Sequence, residues 1–142
     1  CRYAQYAAND LTQLNSDVVR VFAKEYSIQD AVELSEIVKG EVDFYAHCVI
    51  SWGVKLGYWE KIGNIRDVGT VDVLFRDTND YGNPEITISS NWHIWRINEP
   101  FKWVGKLEGD LRKAEIGVVI PVDSIIHRMK TGKYDFVYPQ FE

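Results

Sequence analysis

The segment GTVDVLFRDTNDYGNPEITIS, residues 69–89, crowds Asp72, Asp77, Asp80 and Glu85 into one patterned stretch. Carboxylates at that density can hold a divalent cation that activates water, or can share acid–base work. Either chemistry requires the carboxyl groups to converge on one atom. Asp72 lies inside an apolar run, Asp77 and Asp80 flank a turn, and Glu85 opens the next run. Their separation is therefore set by how the two runs pair.

Both runs read as strands. Val71, Val73 and Phe75 alternate with Thr70, Asp72, Leu74 and Arg76, while Ile86, Ile88, Ser90, Trp92 and Ile94 alternate with Glu85, Thr87, Ser89, Asn91 and His93. Period-two alternation around DTNDYGNP predicts a hairpin. With residues 77–84 as the loop, Arg76 faces Glu85, Leu74 faces Thr87 and Asp72 faces Ser89. Asp72 and Glu85 are then out of step by about 13 Å at ~3.3 Å per residue, too far to share an ion. Arg76 opposite Glu85 becomes an ordinary cross-strand ion pair. Bringing Asp72 opposite Glu85 would push Pro84, which has no N–H to donate, into the ladder.

An Asp on one strand and a Glu on its neighbour, in an α-β-β-α-β order over residues 41–122, resembles the PD-(D/E)XK nuclease core. That resemblance implies magnesium held by Asp72 and Glu85, with Thr87 standing where the family carries a Lys. Separately, the turn DTNDYG resembles the opening of an EF-hand loop, which would imply calcium. The twelfth position there is Ile88 rather than a bidentate Glu, and the flanks read as strands. Asp and Asn also favour turns through local hydrogen bonds, with no ion needed.

The remaining elements are read from periodicity and caps. Asp10 is placed as an N-cap ahead of Leu11, Leu14, Val18, Val21 and Phe22, predicting a helix to about Tyr26. Ser27 and Asp30 make a capping-box-like start for a second helix ending near Gly40. EVDFYAHCVISWGVKLGYW fits either a helix or a strand and is assigned to helix as far as Leu56, with His47 beside its apolar stripe as a satisfied structural residue. Phe101, Val104, Leu107 and Leu111 suggest a further helix weakened by Gly105 and Gly109, the rival being another hairpin. IGVVIPV, residues 116–122, reads as a buried strand. A last helix carries Ile125, Ile126 and Met129 and stops at Gly132. The expected fold is one α+β domain over residues 1–142: N-terminal helices, then a central hairpin extended by strand 116–122 into a mixed sheet with helices packed on it.

Composition narrows the function. Across 142 residues, 46% are hydrophobic and 13% aromatic, which suits one well-filled core or a recognition surface. A net charge of −5 with scattered Lys and Arg argues against nucleic acid. Cys1 and Cys48 form no disulfide framework, and His47, His93 and His127 make no zinc spacing. No apolar run is long enough for a membrane helix. Cys1 in place of an initiator Met suggests a trimmed or processed start, and the expected compartment is cytoplasmic.

On the second strand, Trp95 shares a face with His93, Asn91, Ser89 and Asp72. Asn91, His93, Trp95 and the neighbouring Arg96 are thus the candidate binding residues, on a polar-aromatic sheet face. The expectation is a small binding protein without a cofactor, open to oligomerisation. Its partner would be another protein, as for an inhibitor or immunity-type role, or a small ligand. The alternative is a magnesium-dependent phosphodiesterase using Asp72 and Glu85.

Overall fold

The computed structural model describes all 142 residues. Strands β1 (Ala4–Asp10), β2 (Ser16–Phe22) and β3 (Val42–Cys48) form one antiparallel sheet in the order β1-β2-β3. Strands β4 (Leu74–Thr78), β5 (Trp92–Arg96), β6 (Lys102–Gly105) and β7 (Glu115–Ile116) form a second, in the order β6-β5-β4-β7. The helices are short: α1 (Leu34–Ile37), α2 (Ile50–Lys55) and α3 (Val122–Thr131), with a 3-10 turn at Gly109–Lys113.

The two sheets face each other through Val18, Val73, Phe75 and Trp95, with Tyr45 packed alongside. The far face of the first sheet presents Val19, Val21, Phe44, Ala46 and Cys48 to Ile120 and to Ile125 of α3. The far face of the second presents Trp92 to Leu107 and Tyr138. The segment after β7 joins the layers. Glu115 and Ile116 pair in parallel with Phe75 and Arg76 of β4, while Val119 bridges His47 of β3 and the Ile120 amide donates to the His47 carbonyl at 2.7 Å. One chain segment thus serves both sheets, a known way of turning a corner between them.

This sheet-rich architecture overturns the expected α+β order with N-terminal helices. Residues 10–22 are instead the end of β1, the turn and β2 of a β-hairpin. Val18, Val19, Val21 and Phe22 are all buried because both faces of β2 are covered, and that run imitates helical spacing. Leu11 and Leu14, counted on the helical stripe, lie exposed in the β1–β2 turn. The Ser27–Asp30 contact forms, with the Ser27 amide donating to Asp30 Oδ2 at 2.8 Å, yet it closes only a turn; the following helix is the single turn Leu34–Ile37. Residues 42–48 are strand rather than helix, as their β-branched and aromatic content allows.

The expected helix after Pro100 is β6 followed by the 3-10 turn. Gly105 (φ 69°) and Gly109 (φ 56°) both adopt left-handed backbone, which interrupts any helix there. Of the expected strand 116–122, ladder pairing covers only its start, because α3 begins at Val122. That last helix ends where Gly132 (φ 88°) adopts the left-handed cap.

Candidate functional site

The β4–β5 register decides the fate of the acidic segment. Leu74 pairs with Arg96, Phe75 with Trp95, Asp77 with His93 and Thr78 with Trp92, leaving residues 79–91 as the connection. Glu85 and Thr87 therefore lie outside the ladder, and the expected Arg76–Glu85 pairing does not form. The Glu85 amide instead donates to Asn83 Oδ1 at 3.0 Å in a local turn. Asp72 precedes β4 at its other end, six residues or roughly 20 Å of extended chain from Thr78 at ~3.3 Å per residue, and forms an exposed ion pair with Arg96. Asp80 Oδ2 accepts from Ser89 Oγ at 2.7 Å and Asn91 Nδ2 at 3.3 Å, so these residues stabilise the loop. No group of three His, Cys, Asp or Glu side chains converges as metal ligands would.

The named binding candidates divide. His93 and Trp95 share the inward face of β5, whereas Arg96 projects from the opposite face to Asp72. Trp95 is only 3% exposed because the first sheet covers it. Asn91 lies before β5, in the connection. His93 reaches the open part of the face, where it stacks on Trp95 (5.6 Å, 20° between planes) and meets Phe101 at 4.9 Å and Trp103 at 4.7 Å. Phe101 and Trp103 stand perpendicular to each other (5.8 Å, 89°) and are 44% and 49% exposed. Burial holds His93 below the usual imidazole value, against the opposing charge of Asp77. Asp77 accepts from the Tyr138 hydroxyl at 2.7 Å, and burial raises its carboxyl above the usual range.

A second polar group lies deeper. Asp10 ends β1 fully buried, and its Oδ2 accepts from His47 Nε2 at 2.9 Å and Trp95 Nε1 at 2.8 Å. Its Oδ1 accepts from the Asn98 amide at 3.1 Å, with longer contacts from the Gln13 amide and the Thr12 hydroxyl. Burial alone would raise the Asp10 carboxyl; the bonds from His47, Asn98 and Trp95 outweigh it, and the group stays below its ordinary value. Burial lowers His47 more than Asp10 raises it, so the imidazole stays neutral with its proton on Nε2. His47 Nδ1 is buried without a partner. Carboxylate and imidazole here resemble two thirds of a nucleophile triad, but neither is reachable from solvent. Both lie in the first sheet, and the Trp95 bond to Asp10 Oδ2 is what ties the second sheet to them.

The sequence placed Asp10 at a helix cap and His47 on a helix, so their meeting went unseen. Two buried polar types in apolar, β-branched surroundings were the available signal. Phe101 and Trp103 were assigned to the helix after Pro100, although alternation in FKWVG fits a strand. Compared with known proteins, the chain matches no family model, no curated protein and no solved structure.

Proposed function

We propose that this chain is a protein-binding β domain whose recognition surface is the β5–β6 hairpin, centred on His93, Phe101 and Trp103. The observation that carries this reading is the half-exposed, mutually braced pair Phe101, just before β6, and Trp103, on β6, a strand hydrogen-bonded on one side only. Rigid aromatic rings deliver large contact area at low entropic cost and dominate binding hot spots. An edge strand adds unpaired backbone donors and acceptors.

The position of the cavities favours a macromolecular partner at the aromatic cluster over a small ligand. A cavity of about 280 Å³ is lined by Lys106, Leu107, Glu108, Gly109, Arg112 and Glu142 and lies outside the aromatic cluster. The next, of about 70 Å³, lies between β1, α1 and residues 62–65. Ligand pockets usually run from about 300 Å³ upward.

The test is capture of a partner by immobilised protein. Wild type and Trp52→Ala, which alters a separate exposed Trp, retain the same bound species, while Trp103→Ala and Phe101→Ala lose it without loss of fold. Equal capture by all four proteins sinks the reading.

A further inference from the structure

The non-glycine residues with left-handed backbone are Leu14 (φ 65°), Asn15 (φ 43°) and Asn98 (φ 63°). They fall in just two turns, β1–β2 and β5–β6, and Asp10 ties those turns to each other. Its Oδ1 holds the Asn98 amide at 3.1 Å, Asn98 Oδ1 in return holds the Leu11 amide at 2.7 Å, and the Thr12 hydroxyl donates to the Glu99 carbonyl at 3.0 Å. A branched residue such as Leu14 adopts left-handed backbone only when its surroundings impose it. Leu14 is thus held by the fold, whereas the two Asn are of a type that visits this backbone readily.

The clasp depends on His47 keeping one protonation state. Imidazole Nε2–H fills Asp10 Oδ2 beside Trp95, while Nδ1 has no acceptor and the ring lies 4.2 Å from that of Phe75. Protonating Nδ1 places an N–H against apolar neighbours with nothing to receive it. Around the imidazole, β2 contributes Val18, β4 Phe75 and β5 Trp95, and the chain after β7 contributes Val119 and Ile120. Asp10, from β1, is the charged group that faces it. The clasp also reaches the surface, because Trp95 stacks on His93, which abuts both Phe101 and Trp103.

We propose that Asp10, set in place by a neutral His47, is an acid-sensitive latch whose bonds from Trp95 and Asn98 hold the β5–β6 hairpin, and with it the Phe101–Trp103 surface, in its binding position. This rests on the hairpin being the recognition surface. In the closed form burial disfavours imidazolium, whereas in the open form water solvates it, so the open form takes up the proton more readily. Acid therefore favours opening once the pH drops below about 6.5, by at most about tenfold per pH unit for one proton. Partners held at neutral pH are released in an acidified medium.

Amide hydrogen exchange tests the latch without any partner. In wild type, the protection factors of the Asn98 and Leu11 amides should fall from pH 7 to pH 5, by up to tenfold per unit, and stay below those of β2 throughout, as for a hairpin that opens without global unfolding. In His47→Gln, which keeps a donor for Asp10 but cannot be protonated, protection of the same two amides should be flat. A flat wild-type profile, protection of the Asn98 amide no lower than that of β2, or the same fall in His47→Gln overturns the proposal. If the variant does not fold, wild-type imidazole nitrogen shifts replace it. They must show His47 still neutral in the closed form at a pH where Asn98 protection has begun to fall, and a His47 that titrates as readily closed as open overturns the latch. Loss of capture on Trp103→Ala reports on the surface alone, so the two readings can fail independently.

Discussion

Trp95 and His47 share a single oxygen. The indole and imidazole N–H groups reach Asp10 Oδ2 at 2.8 Å and 2.9 Å, from strands in different sheets and onto the end of a third strand. A carboxylate used in this way is a structural acceptor, and it sets what substitution at each partner should do.

Asp10→Ala removes the acceptor and strands the His47, Trp95 and Asn98 donors in a dry site. Unsatisfied buried donors of this kind, next to a lost charge, cost on the order of 3–5 kcal/mol. Asp10→Asn keeps one acceptor oxygen and should cost clearly less. Urea unfolding of the two variants, at constant m-value, gives the difference; equal stability of Asp10→Ala and wild type contradicts the role assigned to the carboxylate.

The pH dependence of stability follows from the directions of shift. His47 is held below its ordinary value in the fold, so the unfolded chain binds that proton first, and stability declines as pH falls below about 6.5. Asp10, also lowered, adds a second loss as pH drops below its unfolded value of 3.8. Burial raises Asp77 and Glu115, which act oppositely and gain stability as pH falls through their raised values. The His47 contribution is isolated by subtracting the His47→Gln stability curve from that of wild type between pH 7.5 and 5. The difference should decline toward acid, with a slope of at most about 1.4 kcal/mol per pH unit.

The two tryptophans on the inner face of the second sheet should separate sharply. Trp95→Ala empties a buried, hydrogen-bonded site and should cost about 3–5 kcal/mol. Trp103→Ala, half exposed, should change stability by no more than about 1 kcal/mol. Thermal melts of both variants check this.

Gly117 is required by contact. A Cβ there would sit 2.2 Å from Trp95 Cη2 and 2.9 Å from the Arg76 carbonyl oxygen. Neither neighbour is free to retreat, so Gly117→Ala should destabilise by about 1–3 kcal/mol through overpacking. A melt unchanged from wild type would show the indole able to shift.

Cysteine labelling provides an inexpensive check on the core. Cys48 is buried, and burial pushes its thiol up to about 12, whereas Cys1 is exposed. A disulfide reagent at neutral pH should modify one thiol in the native protein and both after denaturation.

Of the second sheet, only the β4–β5 hairpin could be read from alternation, since β6 was assigned to a helix. A hairpin around the acidic turn, the common face of His93 and Trp95 and the stop at Gly132 all follow from local rules. Pairing did not: the ladder begins at Trp92 rather than Glu85 because Ser89 and Asn91 are drawn to Asp80, lengthening the connection. The first sheet was misread for another reason. With α3 on one side and the second sheet on the other, both faces of β2 are covered, even its Arg20 is buried against Gln5, and the run VVRVF carries little period-two signal. The Asp10–His47–Trp95 contact joins residues 37 and 85 positions apart, beyond the reach of any spacing rule.

The chain after β7 has a consequence for the order of assembly. Residues 4–48 and 74–105 can each form hairpins as they are synthesised, but the strand that joins them, with its contacts to Phe75, Arg76 and His47, comes only at residues 115–119. Until then β3 and β4 each present an unpaired edge, the kind of surface on which β chains associate wrongly. Such late, long-range closure also slows folding. A chain truncated before Glu115 should therefore accumulate as aggregate rather than as a smaller folded domain.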